Sequence, residues 1–164
     1  MGIVMGVSIP SIQTSEGTRN VPYYDQVKVL TVCTGHTGPD VVVGKVYSDQ
    51  QCSQLTQQDA EKAASGVLKV SPHLIYHPYV LASAISFSYN VGVGTYDKSS
   101  VAREFNSGNF VQGCNDLMKY TYTNGKFNKG LEFRRQREKD LCLSTITPKG
   151  LADVPVSKSI NSTT

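Results

Sequence analysis

Hydrophobic and polar positions follow two different periods along this chain. Between residues 17 and 46, short runs of Val, Tyr and Thr are cut by Gly17, Pro22, Gly35, Gly38, Pro39 and Gly44. β-Branched and aromatic runs broken by turn formers predict a small hairpin or three-stranded sheet. Residues 27–32 are the clearest strand, with residues 41–43 as the next. From residue 48 the period becomes helical. Ser48 with Gln51 three residues on makes a capping box. Cys52, Leu55, Asp59, Ala63 and Val67 then form one stripe. Asp59 is a carboxylate on that otherwise apolar face, and a buried acid needs a partner.

Residues 78–89 carry no charge. A helix apolar on nearly all sides is a buried one, so this segment predicts the centre of a helical lobe. Pro78 suits its first turn, and Gly92 and Gly94 end it. Shorter helices are expected over about 99–107 and 109–121, a turn at Asn124-Gly125, and a last helix over about 130–143. On that last helix Arg134, Arg135, Arg137 and Glu138 read as a solvated face with i,i+4 pairs. A short first helix is expected to end near Glu16. The architecture is therefore α+β: a sheet lobe over about 17–46 and a larger all-helical lobe over about 68–144, joined by the helix that starts at Ser48. The globular part spans 14–144. An apolar, uncharged segment precedes it (1–13), and a Ser/Thr/Pro-rich tail follows it (145–164), with features of a flexible terminus.

Composition narrows the function classes. The 164 residues are 39% hydrophobic and 18% charged, with net charge +3 and pI near 8.6. No dense Lys/Arg run occurs, so nucleic acid is not an expected partner. No run of 18 apolar residues exists to span a bilayer. The four cysteines, Cys33, Cys52, Cys114 and Cys142, lie too far apart for paired zinc knuckles. They allow three pairings or four buried thiols. Placement on the expected elements favours Cys33–Cys52 and Cys114–Cys142, which would put the working protein in an oxidising space. His73 and His77 are four apart but flanked by Pro72 and Pro78, with no third ligand in sight. They read as loop histidines, and no metal or cofactor is expected.

The candidate chemistry is concentrated in Glu16, Asp25 and Thr31, two carboxylates and a hydroxyl amid turn residues and Tyr. Glycosidic cleavage needs two carboxyl groups in different surroundings, one to hold a proton for the leaving oxygen and one to stay ionised. The spacing Glu, eight residues, Asp, five residues, Thr, followed by Gly35-His36-Thr37-Gly38, resembles the phage-type lysozymes, glycoside hydrolase family 24. The likeness continues in Tyr47-Ser-Asp-Gln-Gln-Cys52, Phe87-Ser-Tyr-Asn-Val-Gly92, Asn106-Ser-Gly108 and Gly130-Leu-Glu-Phe-Arg-Arg135, and so covers about residues 14–144. It points to endolysins of lambdoid phages, including those with a signal-arrest-release segment.

The resemblance implies a lysozyme-like fold and a muramidase. Such an enzyme hydrolyses the β-1,4 bond between N-acetylmuramic acid and N-acetylglucosamine in peptidoglycan, for host lysis. It implies Glu16 as general acid, Asp25 as the ionised partner and Thr31 as holder of the attacking water. It also implies Tyr89, Asn90 and Ser99 as cleft-lining, substrate-binding residues, and a structural ion pair between His36 and Asp59. Residues 1–13 then read as the trailing end of a signal-arrest-release segment, giving a monomer in the host periplasm that is membrane-tethered before release. Some relatives hold themselves inactive through a cysteine in that segment, and none occurs here. A lytic transglycosylase, using one Glu and leaving an anhydro sugar, is the competing enzyme reading. A non-catalytic wall-binding module is the competing reading of another class.

Overall fold

The sequence between residues 17 and 146 forms two lobes hinged on one long helix. In this computed structural model residues 4–6, 12, 17–25 and 28–146 are described. The expected helix ending near Glu16 and the tail beyond residue 146 lie outside the described residues.

The sheet lobe contains β1 (Arg19–Tyr24), β2 (Leu30–Cys33) and β3 (His36–Thr37), antiparallel in the order β1-β2-β3. Tyr23 stands opposite Thr31, and Thr31 opposite Thr37. The register slips between Arg19 and Tyr23, where Pro22 removes a ladder donor. Residues 41–43 are not a strand. Three consecutive valines give no inward and outward alternation, and the segment is pinned as a loop instead. The Tyr47 hydroxyl accepts from the Val42 N–H at 3.1 Å and donates to the Asp40 carbonyl at 3.0 Å. Val41 is buried, while Val42 and Val43 face solvent. Val32, Cys33, Val41, Tyr47 and Cys52 make the small core of this lobe, with a Cys33–Cys52 disulfide inside it.

The linking helix α1 (Asp49–Val70) opens with the reciprocal Ser48/Gln51 capping box. Cys52, Thr56, Ala60, Ala63, Ala64 and Val67 are its buried face. After a 3-10 turn (Pro72–Tyr76) comes α2 (Pro78–Val91), in which every residue from Val80 to Ser88 is buried. Around it pack α3 (Val93–Asp97), α4 (Ser100–Asn106), α5 (Phe110–Asp116) and α6 (Lys129–Leu143). A hairpin of β4 (Tyr122–Thr123) and β5 (Lys126–Phe127) precedes α6. Its turn places Asn124 and Gly125 at φ 51° and 73°, the pair of positive values a two-residue hairpin loop requires. The Cys114–Cys142 disulfide ties α5 to α6. Val4 and Met5 of the N-terminal segment pack against this core, and Ile12 is fully buried.

The last helix departs from its sequence pattern. Arg134, Arg135 and Glu138 are not a solvated face but lie buried against α2, while Arg137 alone of the four is exposed. The small side chains of α2 make room for them. Ser86 donates to Glu138 Oε1 at 2.7 Å, and Ser83 donates to the Glu138 carbonyl at 2.8 Å. Arg134 Nε donates to Glu138 Oε1 at 3.2 Å, and Arg135 Nε lies 3.1 Å from Glu138 Oε2. Complete burial pushes the Glu138 carboxyl above the usual range, against the pull of the Arg135 and Arg134 guanidinium groups. The Arg135 guanidinium also sits over the Phe87 ring, 4.8 Å from its centroid.

Candidate active site

Asp25 and Thr31 occupy the two sides of the β1–β2 turn. Asp25 closes the turn with its own backbone and side chain. Its N–H donates to the Val29 carbonyl at 3.0 Å, and its Oδ1 accepts the Val29 N–H at 2.8 Å. Lys28, at φ 62°, makes the reversal. Thr31 is buried on β2, and its hydroxyl donates to the Val29 carbonyl at 3.0 Å. With its one proton engaged, the Thr31 oxygen faces any further partner as an acceptor. Directly opposed residues of an antiparallel pair share a face. Thr31 therefore shares the face of Thr37, and Thr37 lines the cleft between the lobes. Glu16 lies outside the described residues.

His36 is held between two carboxylates. Its Nδ1 is 2.7 Å from Asp59 Oδ2 on α1, and its Nε2 is 3.0 Å from Asp40 Oδ2. Asp59 also meets the Lys62 ammonium at 3.3 Å. The hydrogen bond to His36 holds the Asp40 carboxyl below its ordinary value. Asp40 was not singled out in the sequence. It stands four residues after His36 across a Gly-Pro turn, which brings the side chains together without any periodic signal.

Tyr89 bridges the lobes. Its hydroxyl, at the end of α2, donates to the Thr34 carbonyl in the β2–β3 turn at 2.7 Å. Beside it a cleft of about 250 Å³ is lined by Gly35, Thr37, Asp59, Lys62, Ser88 and Tyr89 among others. A second hollow, about 520 Å³, shares Gly92 with it and continues past Thr95, Lys98 and Tyr120. A third, about 350 Å³, shares Val91, Thr95 and Tyr120 with the second and reaches Asn90, Lys119 and Tyr122. Together they make an open groove from the sheet lobe to the β4–β5 hairpin, with Lys62, Lys98 and Lys119 along it. Gly92, at φ 85°, lets the chain leave α2 sharply enough to form its wall.

Asn90 Oδ1 accepts from Arg135 Nη2 at 2.8 Å. Ser99 is placed differently from Tyr89 and Asn90. It is buried and caps α4: its oxygen accepts the Ala102 N–H at 3.0 Å, and its hydroxyl donates to the Tyr96 carbonyl at 2.6 Å. The structure thus engages its hydroxyl in a helix cap at the rim of the second hollow. Arg135 and Lys62 also reach this site and were read from the sequence only as surface charge or not at all. His73 meets the Phe105 carbonyl at 3.0 Å, and the His77 ring packs tilted against Phe110, with centroids 4.3 Å apart. Among the described residues no cluster of three metal-ligating side chains occurs.

A three-stranded sheet lobe, a linking helix and a helical lobe built round one buried helix, with a groove between them, make a lysozyme-like fold. The solved active form of P1 phage endolysin Lyz superposes with a TM-score of 0.78 at 25% identity, over 90% of this chain and 93% of its own. The phage lysozyme family model matches residues 13–138, and the chain belongs to that family. It is 41% identical over 130 residues to the SAR-endolysin of Bacteriophage PS119, covering 78% of this chain and 76% of that one. It is 38% identical to the SAR-endolysin of Enterobacteria phage P21, covering 78% and 77%. The protein is a phage endolysin, a muramidase that acts on peptidoglycan in host lysis.

Proposed function

We propose that Glu16, Asp25 and Thr31 carry the muramidase reaction within a lysozyme domain spanning about 14–144. The bond cleaved is the β-1,4 linkage between N-acetylmuramic acid and N-acetylglucosamine. Glu16 protonates the glycosidic oxygen. Asp25 faces the developing oxocarbenium charge as a carboxylate held by the Val29 N–H. Thr31 holds the attacking water. The single observation that carries this reading is the Thr31 hydroxyl, whose proton is spent on the Val29 carbonyl. Its oxygen is left to accept a hydrogen bond from water, on the strand face that Thr37 continues into the cleft. A water so oriented opposite the leaving group inverts the anomeric carbon. Tyr89 and Asn90 border the groove that receives the glycan, with Ser99 at its rim.

The enzyme works as a monomer in the host periplasm, without nucleic acid, cofactor or metal. Two disulfides suit that oxidising space. Residues 1–13 belong to a signal-arrest-release segment that tethers the protein to the membrane before release. Burial of Val4 and Ile12 in the folded protein supports this reading, because apolar side chains leaving a bilayer then have a place to pack. Among the described residues no helix is long and apolar enough to cross a membrane.

Mass analysis of products from purified peptidoglycan tests the reaction. Wild type is expected to yield reducing N-acetylmuramic ends. Glu16→Gln is expected to lose at least about 100-fold in rate at an unchanged melting temperature. Anhydro ends would move the reaction to a transglycosylase, and no product from folded wild type would remove the catalytic reading.

A further inference from the structure

Asn90 borders the groove at the end of α2, and its amide can face in two ways. The oxygen and the NH2 group of an asparagine are opposite in hydrogen-bond character, so which one faces the groove decides what the groove recognises. Arg135 removes the choice. A guanidinium carries only donors, so the atom it meets at 2.8 Å is the amide oxygen by chemical necessity. The guanidinium itself has little freedom to move. It is fully buried, lies over the Phe87 ring and is 3.1 Å from the Glu138 carboxylate. Among the described residues the Asn90 NH2 has no protein partner, and Asn90 is half-buried at the groove wall.

We propose that Arg135 is a positioning residue that fixes the Asn90 amide with its NH2 toward the groove, and that this donor reads the N-acetyl carbonyl of a glycan unit bound beyond the Tyr89 bridge. The proposal rests on the muramidase reading of this same groove. The ligand chemistry follows from the site. A neutral NH2 donor pairs with a neutral carbonyl without the cost of stripping water from a charge. Peptidoglycan presents such a carbonyl on each sugar, at a repeat a groove can read. A site built to hydrogen-bond one group rejects the analogue that lacks it, because its own polar atom is then left unmatched. An ammonium in place of the acetamide is worse still, since it offers only donors to a donor.

The test exchanges the polarity of one side chain. In Asn90→Asp, one carboxylate oxygen still accepts from Arg135, so the buried contact survives and the melting temperature stays near wild type. The other oxygen presents an acceptor to the groove in place of a donor. Rates are measured on N-acetylated peptidoglycan and on the same material after chemical de-N-acetylation. Wild type is expected to prefer the acetylated glycan. Asn90→Asp is expected to lower that preference by about tenfold or more, through a higher KM on the acetylated glycan with kcat less changed.

Arg135→Met combined with Glu138→Gln removes the positioning charge together with its partner. It is expected to lower the same preference while leaving the intact Asn90 amide free to turn. Folded variants that keep the wild-type preference would overturn the proposal. So would a preference of wild type that depends on the stem peptide rather than on the acetyl group, since that would place the donor on a stem carboxylate. An inactive wild type would instead sink the muramidase reading on which the proposal stands, and the two failures are distinguishable.

Discussion

The two lobes hold their shape by different means. The helical lobe is organised by burial. Phe87, Leu81, Ile85 and their neighbours on α2 are fully enclosed, and Phe87 meets Tyr120 edge-on at 4.9 Å. Even its charges are internal, as in the Arg134–Glu138–Arg135 group. The sheet lobe has a core of a few side chains and leaves Val21, Val42, Val43 and Val46 exposed. Polar and covalent pins replace packing there: the Cys33–Cys52 disulfide, the two Tyr47 hydroxyl bonds, and His36 between Asp40 and Asp59. Asp25 and Thr31 stand on the pinned lobe, not the packed one. Pins fix a few atoms firmly while leaving the surface open to a polymer, whereas burial fixes everything by excluding solvent.

This contrast can be broken from either side. The largest effect is expected from Glu138→Ala in the helical lobe. It removes the buried carboxylate that the Arg134 and Arg135 guanidinium groups share and should cost about 3–5 kcal/mol in chemical unfolding. A loss under about 1 kcal/mol would mean that the group is not a structural centre. Next comes the paired change Cys33→Ser/Cys52→Ser. Opening a loop of 19 residues should cost about 3 kcal/mol, and on the pinned lobe it should reduce activity more steeply than stability. The matching Cys114→Ser/Cys142→Ser pair, with a separation of 28, should cost a similar amount but leave kcat nearly intact below the melting transition. Equal activity losses from the two pairs would erase the distinction between the lobes.

Smaller changes sharpen it. Gly113→Ala should cost about 1–3 kcal/mol, because a Cβ there meets the Phe105 ring closer than real contacts allow and the packed lobe has little room to yield. Tyr47→Phe removes one hydroxyl that serves both the Val42 N–H and the Asp40 carbonyl, and should cost about 1 kcal/mol. The smallest effect is expected from Asp40→Asn, and it depends on pH. The folded Asp40 carboxyl lies below its ordinary value because of His36. Its contribution is therefore present above the ordinary aspartate value and is lost as pH falls through the lowered folded one. Melting temperatures of wild type and Asp40→Asn should differ near pH 6 and converge in strong acid. A gap that widens on acidification would contradict the His36 contact.

How much was legible in the sequence follows the same division. The uncharged run over 78–89, the Ser48/Gln51 cap and the Asn124-Gly125 turn are local signals, and the structure contains a buried helix, a capping box and a hairpin at those places. Residues 41–43 misled because a valine run states apolarity, not the alternation that a paired strand needs. Arg134, Arg135 and Glu138 misled because charge spacing on a helix is the same whether the face meets water or a serine-lined neighbour. The facing residues of α2, distant in sequence, decide the matter, Ser83 and Ser86 among them. For the candidate site, the His36 and Asp59 side chains meet, and Tyr89 and Asn90 border the groove. The Ser99 hydroxyl is taken up by its helix cap, a use that a motif match does not distinguish from a ligand contact.

The disulfide pattern also bears on how the chain is made. First cysteine joins second and third joins fourth, so the two covalent loops neither nest nor cross. A chain threading into an oxidising compartment from its N-terminus exposes Cys33 and Cys52 together before Cys114 has emerged. An oxidase acting on thiols in their order of arrival therefore makes the native links directly, with no shuffling step. The sheet lobe can be covalently closed while the helical lobe is still being delivered, and production in a host lacking disulfide isomerase should give the correctly linked protein.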